Sequence, residues 1–154
     1  MTCHVIAWRS TKCQTRTVDT RETVNELLRR ITVGDPANIA ELYAEQISWK
    51  LNWPTGDYAD VVPWIQQRST RGGVEQHYRL IAEHHIAKPG SAEVNSVLVD
   101  GADAVVLGEL HNTAAPTGRS YDAAFALHLT VVNGLITRHH VYEDSLSVLR
   151  AFAD

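Results

Sequence analysis

The Asn133-Gly134 pair, set between two runs of β-branched and apolar residues, constrains this chain more than any other feature. Both residues tolerate positive φ, so the stretch from Tyr121 to Asp144 is expected to be a hairpin closed by a tight turn. Phe125, Leu127, Leu129 and Val131 share one parity; Ala124, Ala126, His128 and Thr130 share the other. A period-2 strand places the first set on one apolar face. That face fixes the register, because a one-residue slip would expose it.

Upstream the pattern is helical. Asp19 followed by Glu22 has capping-box spacing, and Val24, Leu27, Leu28 and Ile31 then recur at helical intervals until Gly34. Asp35-Pro36 opens a second helix with Ile39, Leu42 and Tyr43 as its apolar stripe. Residues 47–52 alternate and are expected to be a short strand, followed by turn chemistry at Trp53-Pro54-Thr55-Gly56-Asp57. A third helix is expected over 73–84, started by Gly72-Gly73 and carrying Val74, His77, Tyr78, Ile81 and His84.

From Glu93 the period changes to two. Val94 to Val99, an Asp100-Gly101 turn, Ala104 to Thr113, a turn at Pro116-Thr117-Gly118 and the hairpin make a four-strand antiparallel meander. Leu146, Leu149, Arg150 and Phe152 close the chain with a short helix. Helices first and an antiparallel sheet afterwards predict an α+β fold, with the helices on one face of a curved sheet that encloses a cone.

With 154 residues and 44% hydrophobic content, the chain suits one domain, expected at 18–154 behind a tail at 1–17. A formal charge of -4 and a pI near 6.0 supply no basic field for a phosphate backbone, so a small apolar organic ligand is expected rather than nucleic acid. Two cysteines, Cys3 and Cys13, make no disulfide framework, and the reducing cytoplasm is the expected compartment. A metal site of Cys3, His4 and Cys13 is the less favoured reading of the tail. No run approaches membrane-spanning length, so no membrane partner is expected. No dinucleotide, P-loop or nucleophile-elbow string occurs, and no cofactor is expected.

The order of elements resembles the SnoaL-like, ketosteroid-isomerase-like branch of the nuclear transport factor 2-like superfamily. The strings that carry the likeness are VGDPANIAELYAE, Arg71-Gly72-Gly73-Val74-Glu75, and Asn133-Gly134-Leu135-Ile136 leading to Val141-Tyr142-Glu143-Asp144, within residues 20 to 152. The resemblance implies a cone-shaped curved antiparallel sheet with N-terminal helices on its concave face. It also implies a pocket used elsewhere by ketosteroid isomerases, limonene epoxide hydrolases and polyketide cyclases.

Their machinery is not carried over intact. The isomerases' tyrosine falls at Leu27, their base at Leu51, and their second aspartate among Phe125 to Leu127. Asn52-Trp53-Pro54 is similar to the epoxide hydrolases' Asn-x-Pro, which places Asn52 at the water-binding position and Lys50 at the tyrosine. Glu109 stands at that family's arginine, His111 at one aspartate and Val141 at the other, which is also the cyclases' acid-base position.

Glu109 and His111 lie two apart on one strand and share a face, which the resemblance assigns to the pocket. His111 is therefore expected as general base or acid and Glu109 as its partner, with Asn52 anchoring water or substrate. The competing reading of the pair is a structural hydrogen bond. A G1-type bulge at the hairpin loop would put His139 beside Phe125, Leu127 and Leu129 as a second polar group. A strict two-residue turn would pair it with His128 on the other face, and the resemblance favours the bulge.

Trp49, Trp53, Trp64, Phe125, Leu127, Leu129 and Val141 are expected as core or pocket wall. The doublets His84-His85 and His139-His140 make no metal site, since adjacent strand residues point to opposite faces. The expected function is acid-base chemistry on a polyketide-like or terpenoid-like molecule: cyclisation, isomerisation or epoxide opening. The alternative is a non-catalytic binding protein. The far face of the sheet, with Ala124, Ala126, His128, Thr130, Arg138, His140 and Tyr142, is expected to form a homodimer that weakens below about pH 6.

Overall fold

The computed structural model describes residues 18–154. The tail expected at 1–17, with Cys3, His4 and Cys13, lies outside the described residues. Helix α1 (Thr20–Val33) begins at Asp19, whose carboxylate accepts from the Arg21 N–H. It ends at Gly34, where a φ of 83° needs a residue without a side chain. Val24 and Leu27 are buried against the sheet, each worth roughly 1.5–3 kcal/mol of apolar burial.

Helix α2 (Pro36–Ala40) starts as predicted, with Asp35 accepting from the N–H groups of Ala37 and Asn38. It is shorter than its stripe suggests. The Leu42 carbonyl accepts from the Ile136 N–H at 2.8 Å, and Tyr43 becomes the first residue of strand β1 (Tyr43–Leu51). Helix α3 (Arg71–His84) starts ahead of the expected position because Thr70 caps it, its Oγ1 accepting from the Gly73 N–H at 3.1 Å. The threonine cap, and not the glycine pair, sets that start.

Strands β2 (Ala92–Asp100), β3 (Asp103–Thr113), β4 (Ser120–Val132) and β5 (Leu135–Glu143) form the predicted antiparallel meander. The sheet order is β1-β5-β4-β3-β2, and β1 joins β5 in parallel, so the five-stranded sheet is mixed and open. α1 packs on β3 and β4, and α3 on β1, giving the α+β architecture with helices on one face. α4 (Ser145–Phe152), capped by Asp144, closes a second apolar cluster with Val62, Trp64 and Tyr121.

The hairpin reaches the expected facing by a different device. Asn133 and Gly134 have φ of 52° and 76°, and Val132 pairs with Leu135, so the turn is a strict two-residue one. The register then shifts: Val131 faces Ile136, whereas Thr130 faces Arg138, leaving Thr137 as the extra residue of a bulge inside β5. Beyond it Leu129 pairs with His139, Leu127 with Val141, and His128 with His140. A bulge was expected in the loop; it lies within the strand.

Candidate functional site

A cavity of about 570 Å³ lies between the helices and the inner face of the sheet. Its rim is apolar, with Val33, Ile86 and Val94 left 68%, 51% and 42% exposed. Lys88 is the one lysine or arginine among the lining residues, and it sits exposed at this rim. Glu143 is the one carboxylate.

His139 stands where the hairpin register sends it, on the inner face of β5. Its ring stacks on Trp49 at 4.1 Å with planes 5° apart, and Nδ1 lies 2.9 Å from the Tyr43 hydroxyl. Tyr43 is hydrogen-bonded in turn to the Tyr78 hydroxyl. Nε2 has no hydrogen-bond partner and is closed to solvent. Burial, followed by the nearby imidazoles of His77 and His140, holds the His139 pKa well below the imidazole range, so the ring is neutral.

His77, on α3, is likewise buried. Its Nδ1–H donates to the Trp64 carbonyl at 3.4 Å, which leaves Nε2 as the unprotonated nitrogen. Burial and the charge of Arg68 lower its pKa to about 3.

At the other end of the cavity His85 Nδ1–H donates to the Ile81 carbonyl at 2.8 Å, so its Nε2 accepts from the Tyr121 hydroxyl at 2.7 Å. Asn112 Nδ2 donates to the same hydroxyl at 3.3 Å. Burial raises the Tyr121 pKa to about 12 and lowers that of His85.

Glu143 completes the wall. Trp53 Nε1–H donates to its Oε1 at 2.8 Å. Burial raises the pKa above the usual carboxylate range, the indole hydrogen bond lowers it, and neighbouring Asp144 adds to the rise. A carboxyl buried in an apolar wall holds its proton more readily than one in water, while the indole N–H fixes one of its oxygens.

The structure separates the residues that the sequence grouped. Glu109 and His111 face away from the cavity. Even-numbered β3 residues point inward, with Ala104 and Val106 buried and Leu110 and Asn112 lining the cavity. His111 is on the outer face, its Nδ1 2.7 Å from Asp122 Oδ1 and its Nε2 3.7 Å from Glu93 and 4.0 Å from Glu109. Asp122, then Glu109 and Glu93, raise its pKa. The assignment of His111 and Glu109 to the pocket is therefore corrected by one residue of register, which inverts a strand's faces.

Asn52 is also outside: its side chain is exposed, and its backbone N–H donates to the Val141 carbonyl at 2.9 Å. Of the expected wall, Trp64, Phe125, Leu127 and Val141 line the cavity with His139. Trp49 stands behind His139, Leu129 is deeper core, and Trp53 reaches in only through its hydrogen bond to Glu143.

His77, His85, Asn112, Tyr121 and Glu143 were missed. For Glu143 a signal was present, since it shares the parity of His139 and Val141 on one strand.

The family model of the SnoaL-like domain matches residues 24–139. The chain belongs to the SnoaL-like domain family. No curated protein matches it. Among solved structures, this SnoaL-like chain is similar to an NTF2-like protein of Burkholderia thailandensis, with 18% identity over 88% of this chain and 98% of that one and a TM-score of 0.73. An NTF2-like protein of unknown function from Burkholderia pseudomallei gives 18%, 88%, 98% and 0.72. A Catenulispora acidiphila protein of ketosteroid isomerase-like fold, in complex with trimethylamine, gives 13%, 87%, 94% and 0.68. At such identities the likeness is one of fold. No described helix is long and apolar enough to cross a membrane.

Proposed function

We propose that this SnoaL-like protein is a small-molecule enzyme that uses acid-base chemistry in its apolar cavity, with Glu143 as the group that exchanges the proton. The observation that carries this is the Glu143 carboxyl in the cavity wall, hydrogen-bonded to Trp53 and raised in pKa by burial. His139 is a second polar group, but with Nε2 closed to solvent it serves first as a fixed wall, and proton traffic falls to Glu143. The substrate enters uncharged or with any anionic end at Lys88, because among the described residues no other lysine or arginine lines the cavity to pair with a negative charge. Cyclisation, isomerisation and epoxide opening of polyketide-like or terpenoid-like molecules all fit such a site.

A panel of epoxides, enones and polyketide mimics screened for turnover, followed by Glu143→Gln, tests this reading. The variant is expected to lose on the order of 10²-fold or more in turnover, the usual contribution of a positioned proton donor or acceptor, with little change in ligand affinity. Retained turnover overturns the assignment. A binding-only role is the second reading, favoured by the hydrogen bonds that fix His77, His85 and His139 in place and by the burial that disfavours protonation of their rings. Tight binding without turnover across the panel would select it.

We also propose that the outer face of the sheet pairs two copies of this chain. Leu98, Leu107 and Tyr142 stand 56%, 38% and 40% exposed there, on β2, β3 and β5, a row of apolar groups that a second sheet would cover. His140 shares that face, bonded to Ser48 Oγ at 2.9 Å, with Arg138, Lys50 and His128 near enough to disfavour its protonation. Sedimentation is expected to show a dimer at neutral pH that weakens below about pH 6. A monomer at neutral pH removes the proposal, and a pH-insensitive dimer removes the histidine's part in it.

A further inference from the structure

We propose that Trp53 is the positioning residue for Glu143: its indole N–H fixes Oε1 at 2.8 Å in a carboxylate that lines the cavity. This rests on the reading of Glu143 given above. Trp53 does not line the cavity; its ring packs at the edge of the second apolar cluster, and its N–H is turned toward Glu143. It comes directly after β1, where the Asn52 N–H donates to the Val141 carbonyl at 2.9 Å and the Trp53 N–H to the Leu51 carbonyl at 2.9 Å. The first bond ties the backbone at 52 to β5 two residues from Glu143, and the second turns the chain at 53 back on the end of β1. The Tyr58 ring meets the indole edge-on at 5.2 Å and 61° and limits its rotation. The donor therefore arrives with its direction set from two sides.

The same segment governs a second cavity group. The Trp64 carbonyl, further along the loop between β1 and α3, accepts from His77 Nδ1–H. One connection thus orients both the acid and an imidazole that lines the same cavity. The groups that bear electrostatically on Glu143 are Asp144, which follows it in the chain, and Tyr121 from β4. Neither favours the carboxylate. The indole N–H does, and Trp53→Phe removes it while keeping an aromatic ring against Tyr58.

Titration followed by NMR tests this without a substrate. The Trp53 indole ¹⁵N–H resonance of the wild-type protein is expected to move with the Glu143 carboxyl as it ionises, and Glu143→Gln is expected to abolish that movement. In Trp53→Phe the Glu143 ¹³Cδ midpoint is expected to rise by about one pH unit or more, with Tm little changed. An indole resonance indifferent to Glu143, or a midpoint unmoved in Trp53→Phe, overturns the proposal. So does a fall in Tm without movement of the midpoint, the signature of a merely structural tryptophan.

If Trp53→Phe does not fold, the wild-type indole titration still decides. Loss of turnover in Glu143→Gln with an unmoved Trp53→Phe midpoint would keep the acid and discard its positioner. Retained turnover with a raised midpoint would do the reverse.

Discussion

Lowering the pH from neutrality to about 4.5 is expected to cost this fold several kcal/mol, mostly through two histidines. His77 and His139 are buried and their pKa values are lowered, His77 to about 3. In the unfolded chain each would titrate near the ordinary imidazole value of about 6.5. Below that value the unfolded chain takes up protons that the folded chain refuses, so stability is full above it and falls as pH drops toward the folded values. Two pH units below 6.5, His77 costs on the order of 2–3 kcal/mol, and His139 acts in the same direction. His85, also lowered, acts in the same direction.

Two groups oppose this. Glu143, with its pKa raised, holds a proton in the folded state where the unfolded chain has lost it, so its contribution grows as pH falls through the window above the ordinary carboxylate value. His111, raised by Asp122, adds stability below the imidazole range that is lost as pH rises through its folded value. His111 is solvent-screened and Glu143 is one group against three, so the buried imidazoles dominate. Domains of this size are commonly stable by about 5–15 kcal/mol, so an acid transition near pH 4 is expected if this one lies toward the low end of that range. Thermal melts followed by circular dichroism check it. His77→Gln is expected to flatten the pH dependence by roughly half while lowering Tm at neutral pH. A Tm that does not change between neutral pH and 4.5 would refute the account.

Sequence and structure agree where a local rule had a tertiary partner. Asp19 and Gly34 bound α1 because a cap and a left-handed residue are chemical stop signs that no packing overrides here. The hairpin was legible from Asn133-Gly134, and its inner face from Phe125, Leu127 and Leu129. The facing of β3 was not legible. Val105, Val106 and Leu107 are all apolar, so neither parity announces itself, and only the pairing of Gly108 with Phe125 and of His111 with Asp122 decides. The parallel union of β1 with β5 was equally hidden, because two strands about ninety residues apart carry no local mark of each other. Tyr43 shows the cost of trusting helical spacing past Ala40, since the residue read as helix stripe is the one that holds His139. Glu143 lies two residues beyond Val141, the position to which the resemblance assigns the acid, so the likeness pointed past it.

Gly108→Ala is the single substitution expected to damage both fold and cavity. Gly108 has no positive φ, so backbone freedom is not why it is glycine. Space is the reason. A Cβ there would lie 2.2 Å from the Glu93 carbonyl oxygen and 2.8 Å from Cε1 and Cζ of Phe125. The register of β2 shifts between Val94 and Ser96, which brings its backbone over β3 at this point, and the Phe125 ring lies on the bare glycine from the other side. A ring can turn, but the carbonyl belongs to the strand ladder and can move only by opening it.

Overpacking of this kind costs about 3 kcal/mol, which for a chain of this length lowers Tm by about 6–12 °C. Phe125 lines the cavity, so the displaced ring also enters the space a ligand would use. Gly108→Ala is thus expected to weaken binding of any ligand found for the wild-type protein. Adding Phe125→Leu should relieve the ring contact and restore part of the binding. It should not restore the whole of the stability, because the contact with the Glu93 carbonyl remains. A Gly108→Ala protein melting within about 2 °C of wild type would show that β2 gives way at its bulge more easily than a ladder strand should.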